Sequence, residues 1–264
     1  MYLDLFNGDC LEIMKDISSN TIDCFICDLP YGCLIGGGGQ EKSKRNEAGN
    51  DGVIAGCPWD IKIDLDKLWA EIKRLAKSDK TPVLMFCTTK FGNELINSNP
   101  SWFRYDLVWD KQRGVSFLSA NKMPLRSHEM IYLFSKSGAY YERIDEKGEF
   151  AKITSREDPN RKINVYTGMP NGWRCNENDG THRCVKSVIQ VKNNQRAGKH
   201  PTEKPKELYK WLIERYCPKG GTILDPTAGS FNCCFTAYEL GRNSIGIEKD
   251  DAFYKKACEK ADLL

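Results

Sequence analysis

The residues from Gly221 to Glu248 have the types and spacing of a nucleotide-binding site. A short apolar strand, TILD, ends at Asp225 and runs into a tight turn of small residues, after which the pattern is helical. The next strand, SIGIE, ends at Glu248. Small residues let a ligand approach the backbone, and an acid at the end of the second strand can bind both hydroxyls of a ribose. The segment therefore favours a Rossmann-type first crossover over an ordinary strand–turn–helix unit.

The charge at this turn narrows the class of ligand. The glycine pattern GxGxxG is absent, and Asp225 would repel a pyrophosphate, which disfavours a dinucleotide. A cationic nucleoside with an amino-acid tail suits this carboxylate better, and S-adenosylmethionine is such a ligand. The turn residues expected to lie against it are Thr227, Ala228, Gly229 and Ser230.

A second candidate site is the tetrapeptide Asp28-Leu29-Pro30-Tyr31, which follows the buried strand pattern TIDCFIC. In a doubly wound sheet this position lies at the carboxyl edge, where ligands bind. The tetrapeptide resembles the signature Asp/Asn/Ser-Pro-Pro-Tyr/Phe/Trp of the amino-methyltransferase family of DNA methyltransferases, with Leu29 in place of the first proline. The resemblance implies an S-adenosylmethionine-dependent DNA methyltransferase.

Three further segments resemble motifs of the same family. Residues 200–205 are similar to its HPTEKP element, and residues 225–230 resemble its DPFAGSG cofactor loop, although Phe231 stands where another glycine is usual. Residues 8–12 resemble a GDxLE element placed near the adenine of the cofactor. The catalytic motif precedes the cofactor motif, which is the permuted order called the β group. The resemblance implies cofactor contacts from the following residues: Asp9, Cys10, Asp28, Thr202, Lys204, Asp225, Thr227, Ala228, Gly229, Ser230 and Glu248.

The tetrapeptide also fits the chemistry of amino-group methylation. The lone pair of an aromatic amino group is delocalised into the ring, which makes the nitrogen a poor nucleophile. The side chain of Asp28 and the backbone carbonyl of Pro30 can accept N–H hydrogen bonds and favour a pyramidal nitrogen, while Tyr31 can stack on a base flipped out of the helix. We therefore predict Asp28, Pro30 and Tyr31 as the catalytic residues. No cysteine nucleophile is required, unlike in carbon-5 cytosine methylation.

N6 of adenine is the predicted target because, in the family that the chain resembles, Asp at the first motif position is more typical of adenine enzymes and Ser of N4-cytosine enzymes. N4 of cytosine is the alternative target. A methyltransferase of the same fold that acts on RNA or protein, and a non-catalytic nucleic-acid-binding relic, are the other classes. The permuted motif order and a basic insert favour a DNA enzyme over one that acts on RNA or protein. The complete tetrapeptide argues against a non-catalytic relic.

Alternating strand and helix patterns position these motifs. The predicted strands are residues 21–27, 82–87, 105–109, 130–134, 222–224 and 244–247, and the predicted helices are residues 65–77, 206–216 and 231–240. This order predicts an α/β, Rossmann-like S-adenosylmethionine-dependent methyltransferase fold with three layers and a largely parallel sheet. Residues 32–59 are rich in glycine and polar residues, which predicts a mobile loop that closes over the substrate as a lid.

A basic insert interrupts this pattern between residues 136 and 198. From Lys136 to Lys199 the chain has 13 Lys or Arg against 8 Asp or Glu, whereas the whole chain has a net charge of only +3. Such an insert suits a polyanion, with a merely solvated surface as the alternative. We predict a catalytic and cofactor-binding domain formed by residues 1–135 and 199–264, and an inserted target-recognition region at 136–198 that reads double-stranded DNA.

The composition excludes several classes of protein. The 264 residues are 40% apolar, enough for one substantial core, and contain no run of 18 apolar residues that would span a membrane. The N-terminus lacks a signal-peptide pattern, so the expected location is the cytoplasm, where 12 reduced thiols fit. We expect no metal site, because Cys24 and Cys27 point to opposite faces of a strand and the cluster of Cys175, His182 and Cys184 lacks a fourth ligand. The sequence leaves both a monomer and a homodimer open.

Overall fold

The computed structural model describes residues 1–32, 61–115, 117, 120–148, 181–193 and 203–263. Its helices are α1 (Cys10–Ile13), α2 (Leu65–Leu75), α3 (Thr89–Ser98), α4 (Lys206–Tyr216), α5 (Asn232–Glu239) and α6 (Asp251–Ala261). Its strands are β1 (Leu3–Asn7), β2 (Cys24–Cys27), β3 (Val83–Cys87), β4 (Phe103–Val115), β5 (Arg126–Phe134), β6 (Glu146–Lys147), β7 (His182–Arg183), β8 (Val188–Gln190), β9 (Thr222–Asp225) and β10 (Asn243–Glu248). One compact unit comprises Met1–Glu142 and Ser187–Leu264, and the other, Arg143–Lys186, contains the β6–β7 pair.

Eight strands of the larger unit form one sheet in the order β1-β10-β9-β2-β3-β5-β4-β8. The strands from β1 to β3 are parallel, β5 is antiparallel to β3 and β4, and β8 is parallel to β4. At the centre, β2 and β9 are neighbours, with Phe25 beside Leu224. The strand order reverses here, and in open parallel sheets the crevice at such a point is the usual ligand site. The carboxyl ends of β2 and β9, close to Asp28 and Asp225, therefore meet where a ligand is expected.

Both faces of the sheet are buried because its central strands are apolar throughout. Successive side chains of β2 alternate between the faces. Cys27 belongs to the core formed with Leu68 of α2, whereas Cys24 belongs to the core formed with Leu212 of α4. The two thiols thus lie on opposite faces of the strand, as the sequence predicts. Helices on both sides of the sheet give three layers.

Aspartate side chains cap the N-termini of three of the helices. Asp9 accepts a backbone N–H in the first turn of α1, Asp64 does so in α2 and Asp250 in α6. Such caps satisfy amides that the first turn of a helix leaves unpaired. No helix within the described residues is long and apolar enough to cross a membrane.

The predicted elements lack β1, α3 and α6, and they differ from the structure in the lengths of β4 and β5. The sequence predicts short strands at 105–109 and 130–134, but the structure has a long antiparallel hairpin. The outer strand segments, residues 110–114 and 126–129, contain no large apolar residue, so no apolar run marks them in the sequence. In addition, β8 falls within the predicted insert but pairs with β4 in the main sheet. The predicted lid lies outside the described residues apart from Gly32, and so does Cys175.

Candidate active site

A cavity of about 810 Å³ lies at the carboxyl edge of the parallel strands. This volume is in the range of small-molecule sites. Its walls combine the tetrapeptide after β2, the turn after β9 and the start of α1. They include the following predicted site residues: Asp9, Cys10, Asp28, Pro30, Tyr31, Lys204, Thr227, Ala228, Gly229, Ser230 and Glu248. Asp225 is not part of the cavity wall, and Thr202 lies outside the described residues.

Asp28 is held by two hydrogen bonds, one to each carboxylate oxygen. The ammonium of Lys204 donates to Oδ2 over 2.6 Å, and the hydroxyl of Tyr31 donates to Oδ1 over 3.0 Å. Two donors fix the plane of the carboxylate, and each oxygen keeps a second lone pair. Asp28 is therefore a fixed hydrogen-bond acceptor in the cavity wall.

Lys204 is nearly fully buried between two carboxylates. Its side chain is 4% exposed, and its Nζ lies 3.5 Å from Glu129 Oε2. Burial lowers the pKa of Lys204, but the charges of Asp28 and Glu129 outweigh it and raise this pKa above its usual value. Glu129 also accepts a hydrogen bond of 2.6 Å from Lys111. Burial raises the pKa of Glu129, but Lys204 and Lys111 outweigh that effect and lower it.

Sequence reasoning missed Glu129 and Lys111, although both line the cavity. Glu129 directly precedes the predicted strand at 130–134, and Lys111 comes shortly after the one at 105–109. In the structure Glu129 pairs with Trp109 across the two antiparallel strands. A sequence signal for both residues exists: each is a charged residue close to the end of a predicted strand, and the two ends adjoin if the strands form a hairpin.

The side chain of Tyr31 contacts both Asp28 and Phe91. Its hydroxyl binds Asp28, and its ring packs against Phe91 with centroids 5.3 Å apart and planes inclined by 33°. Burial, followed by the negative charge of Asp28, raises the pKa of Tyr31 well above its usual value, so the hydroxyl remains a donor. Because Phe91 takes one side of the ring, a stacked base has to approach from the other side.

Glu248 is fixed at the end of β10 by two backbone amides. The N–H of Gly229 donates to Oε2 over 2.7 Å, and the N–H of Asp250 donates to Oε1 over 2.7 Å. Gly229 has a φ of 54°, in the left-handed region that favours glycine. Burial raises the pKa of Glu248, and the hydrogen bonds from Asp250 and Gly229 oppose this rise only in part.

Asp225 lies beneath the turn rather than in the cavity wall. It is 2% exposed, and its carboxylate accepts the N–H of Thr227 over 3.2 Å. Burial raises the pKa of Asp225 well above its usual value. The buried hydroxyl of Thr227, by contrast, belongs to a residue that lines the cavity and has no hydrogen-bond partner among the described residues. The turn thus forms the cavity wall and keeps the carboxylate of Asp225 behind it.

Phe231 adopts the backbone conformation that a glycine would favour at its position. It precedes α5 with φ 56° and ψ 20°, in the left-handed region. Its side chain is fully buried, and a Cβ added to Gly246 of β10 would lie 2.6 Å from the ring. The turn therefore keeps the shape that glycine allows, and the aromatic ring occupies the core instead of the cavity.

The start of α1 contributes Asp9 and Cys10 to the cavity wall. The carboxylate of Asp9 caps α1, and Lys249 Nζ lies 3.1 Å from its Oδ2. Burial raises the pKa of the Cys10 thiol to about 12. Near neutral pH this thiol is therefore neutral and weakly nucleophilic.

Known proteins resemble this chain over almost its whole length. A family model described as DNA methylase matches residues 22–259. The chain is 26% identical to the DNA adenine methyltransferase YhdJ of Escherichia coli (strain K12), over 98% of this chain and 82% of that protein. Its structure is similar to that of M1.HpyAVI in a complex with SAM (TM-score 0.61, 16% identity, 98% of both chains covered). It is also similar to the PvuII DNA methyltransferase, described as cytosine-N4-specific (TM-score 0.62, 13% identity, 96% and 84% covered).

These solved structures confirm the predicted Rossmann-like methyltransferase fold. The match to the family model extends over the tetrapeptide after β2, the turn after β9 and Glu248, so it includes every main part of the cavity wall except the start of α1. The family resemblance that the motifs imply is confirmed by this match. The chain belongs to the DNA methylase family and is a DNA methyltransferase.

Proposed function

We propose that this DNA methyltransferase transfers a methyl group from S-adenosylmethionine to N6 of adenine in double-stranded DNA. The position of Asp28 carries the proposal. Its carboxylate, fixed by Lys204 and Tyr31, lies in the wall of the cavity that also contains Glu248 and the turn at 227–230. An acceptor for an amino group and a site for a nucleoside ligand are therefore adjacent, as direct transfer requires.

The residues around Glu248 fit S-adenosylmethionine. Glu248 accepts two backbone amides, and a carboxylate has about four lone-pair sites, so two remain for the ribose hydroxyls. Ser230 of the same turn lines the cavity and offers a hydroxyl to the amino-acid end of the ligand. Phe253 of α6 lines the same cavity and offers a ring to the adenine. Asp225, behind the turn, supplies negative potential to a cationic ligand without direct contact.

The tetrapeptide acts on the amino group of the target base. Bound S-adenosylmethionine supplies a methyl group on a positively charged sulfur. Asp28 accepts a hydrogen bond from the amino group through a second lone pair, and the backbone carbonyl of Pro30 accepts another. These acceptors favour a pyramidal nitrogen, and the carboxylate stabilises the positive charge that develops there until the nitrogen loses its extra proton to solvent. Because Lys204 and Tyr31 fix the carboxylate before the base arrives, little reorganisation is needed during the transfer.

The target base has to leave the duplex, because its amino group is otherwise out of reach of the cavity. The ring of Tyr31, supported by Phe91, is the proposed stacking surface for the flipped base. Residues 136–198 are the proposed target-recognition region on the strength of their basic composition.

Two observations favour adenine over cytosine as the target. The first position of the tetrapeptide is Asp28 and not serine, and in the family that the chain resembles Asp is more typical of the adenine enzymes. YhdJ, which is similar to this chain along most of both sequences, is named a DNA adenine methyltransferase.

The proposal is tested by incubating the purified chain with plasmid DNA and S-adenosylmethionine that carries an isotope-labelled methyl group. The DNA is then digested to nucleosides and analysed by mass spectrometry, with Asp28→Ala as the control. Labelled N6-methyldeoxyadenosine is the expected product. Labelled N4-methyldeoxycytidine would contradict the proposed base, and a chain that binds the cofactor but labels no nucleoside would contradict DNA as the substrate.

A further inference from the structure

The outer part of the hairpin formed by β4 and β5 extends beyond the rest of the sheet. β3 pairs with β5 only as far as Cys87 beside Met130. β8 pairs with β4 as far as Asp110, and the segment after β8 adds a last backbone hydrogen bond from the N–H of Asn193 to the carbonyl of Lys111. β4 and β5 remain paired with each other beyond these points. We call the described residues of this stretch (111–115, 117 and 120–126) the projecting hairpin. Among the described residues, no strand of the sheet covers its edges.

The projecting hairpin is positively charged. Its sequence contains no acidic residue and four basic ones: Lys111, Arg113, Lys122 and Arg126. Lys111 is buried and paired with Glu129, and Arg126 donates to a backbone carbonyl. Arg113 and Lys122 are exposed and have no ion-pair partner within the described part of the chain. Exposed cations without counter-charges on a projecting element suit a polyanion.

Large apolar side chains are exposed on the same element. Phe117 is 80% exposed and Met123 is 53% exposed, and Val115 and Leu125 also lie on the surface. Among the described residues, no other aromatic side chain is as exposed as Phe117. Clustered apolar surface of this kind commonly marks a binding surface. The combination of free cations and an exposed aromatic ring is the one by which proteins bind phosphates and stack on bases.

The projecting hairpin starts at the proposed active site. Lys111 and Val115 line the cavity together with Asp28 and Tyr31. The exposed residues that follow along the chain are therefore next to the place that a flipped base would enter.

We propose that the projecting hairpin binds the duplex beside the flipped base, with Arg113 and Lys122 on phosphates and Phe117 stacked on the bases at the gap. The proposal rests on the proposed function, because it requires a base to move from the duplex into the cavity. Apolar side chains inserted between bases stabilise unstacked steps in other proteins, and aromatic rings stack on any base. This contact is additional to the predicted target-recognition region at 136–198.

The role of the charged residues is tested by measuring the affinity of the chain for a duplex of random sequence at a series of salt concentrations. Fluorescence anisotropy reports the binding. The double variant Arg113→Gln/Lys122→Gln should lower the slope of log K against log salt by about 2, since each lost phosphate contact accounts for about 0.9. The matched control is Lys80→Gln/Lys219→Gln, which removes the same charge from exposed positions before β3 and β9, at the opposite edge of the sheet. Equal slopes for the two double variants, or a slope like that of the wild type for the first, would overturn the proposal.

The aromatic residue is tested with native and heat-denatured plasmid DNA as substrates. Phe117→Ala should lower kcat/KM about tenfold on native DNA and much less on denatured DNA, where no gap has to be filled. Phe117→Trp should restore the rate, and affinity for S-adenosylmethionine should be unchanged in both variants. Equal losses on both substrates, or none, would overturn the proposal. If these variants bound DNA normally but lost binding to anionic lipid vesicles, the hairpin would be a membrane contact instead.

Failure of this proposal can be distinguished from failure of the proposed function. If the wild-type chain methylates DNA and all hairpin variants behave like it, only the hairpin contact is wrong. If the wild-type chain methylates neither DNA substrate, the proposed function itself is wrong.

Discussion

The Nζ of Lys204 lies 2.6 Å from Oδ2 of Asp28, although the two residues are 176 positions apart in the sequence. This bond joins the segment before α4 to the tetrapeptide after β2, two motifs that the sequence identifies separately. Lys204 also lies 3.5 Å from Glu129 on β5. The orientation of the Asp28 carboxylate therefore depends on a buried ammonium group that three distant segments of the chain hold in place.

Replacing Lys204 with Met should remove the charge but keep much of the side-chain volume. Breaking a buried ion pair by removing one partner costs about 3–5 kcal/mol, so the free energy of unfolding should fall by a similar amount. The methylation rate at saturating substrates should fall at least tenfold, roughly the effect of one lost preorganising contact. Urea unfolding and single-turnover methylation measure the two effects. The double variant Lys204→Met/Glu129→Gln should regain part of the stability but not the rate; a wild-type rate in either variant would contradict the positioning role.

Two variants of Tyr31 separate the role of its hydroxyl from the role of its ring. Tyr31→Phe removes one donor to the charged carboxylate of Asp28 and should lower the methylation rate about tenfold or more, since a hydrogen bond to a charged group contributes about 1.5–3 kcal/mol. Tyr31→Ala also removes the stacking surface, so kcat/KM on DNA should fall by a further tenfold or more. Steady-state kinetics on plasmid DNA compare the two variants. If kcat/KM on DNA falls by the same factor in both variants, the ring does not stack on the base.

The binding of S-adenosylmethionine should weaken as the pH falls, because Glu248 must be ionised to accept two hydroxyl hydrogen bonds. Burial raises the pKa of Glu248 from 4.5, so it takes up a proton at a higher pH than an ordinary glutamate. Affinity should therefore be constant above this raised pKa and decline as the pH falls through it. Glu248→Gln should bind more weakly at neutral pH and lose this decline. Isothermal titration calorimetry at several pH values measures the affinity for S-adenosylmethionine. The same pH dependence in the wild type and in Glu248→Gln would exclude Glu248 as the titrating group.

Asp225→Asn should separate stability from cofactor binding. Because burial raises the pKa of Asp225 in the folded chain, its charged form destabilises the fold, and stability is lost as the pH rises through this raised pKa. Asparagine can still accept the N–H of Thr227 but carries no charge. The variant without ligand should be more stable at pH 8, by more than about 1.4 kcal/mol, the value of one pKa unit. Its affinity for cationic S-adenosylmethionine should nevertheless fall; a variant that is less stable and binds normally would contradict this account.

Much of this site could be predicted from local sequence. The tetrapeptide lies directly after a fully apolar strand, and the small turn lies directly after TILD, so both had to reach the same edge of a parallel sheet. The helix predicted at 206–216 has the same bounds in the structure because its apolar side chains recur at helical spacing. Such features depend on neighbours within a few residues.

Other features depend on how distant segments pair, and the local pattern does not show them. Lys111 and Glu129 meet only because β4 and β5 pair as a hairpin, and the strand residues beyond Trp109 and up to Glu129 (110–114 and 126–129) carry no apolar run. Asp225 looks like a direct ligand in the sequence, but the turn that follows folds over it and buries it. The left-handed conformation of Phe231 is possible because its ring fills the space above Gly246, a contact with the next strand.

The central claim, that Asp28 acts directly on the target amino group, is tested most directly by single-turnover methylation of duplex DNA with Asp28→Asn and Asp28→Ala. Calorimetry first establishes concentrations at which each variant is saturated with S-adenosylmethionine. The account predicts that both variants fold, bind the cofactor and transfer the methyl group about 10²–10³-fold more slowly than the wild type, as expected for the loss of one preorganised charged partner. Transfer at the wild-type rate by either saturated variant would contradict it.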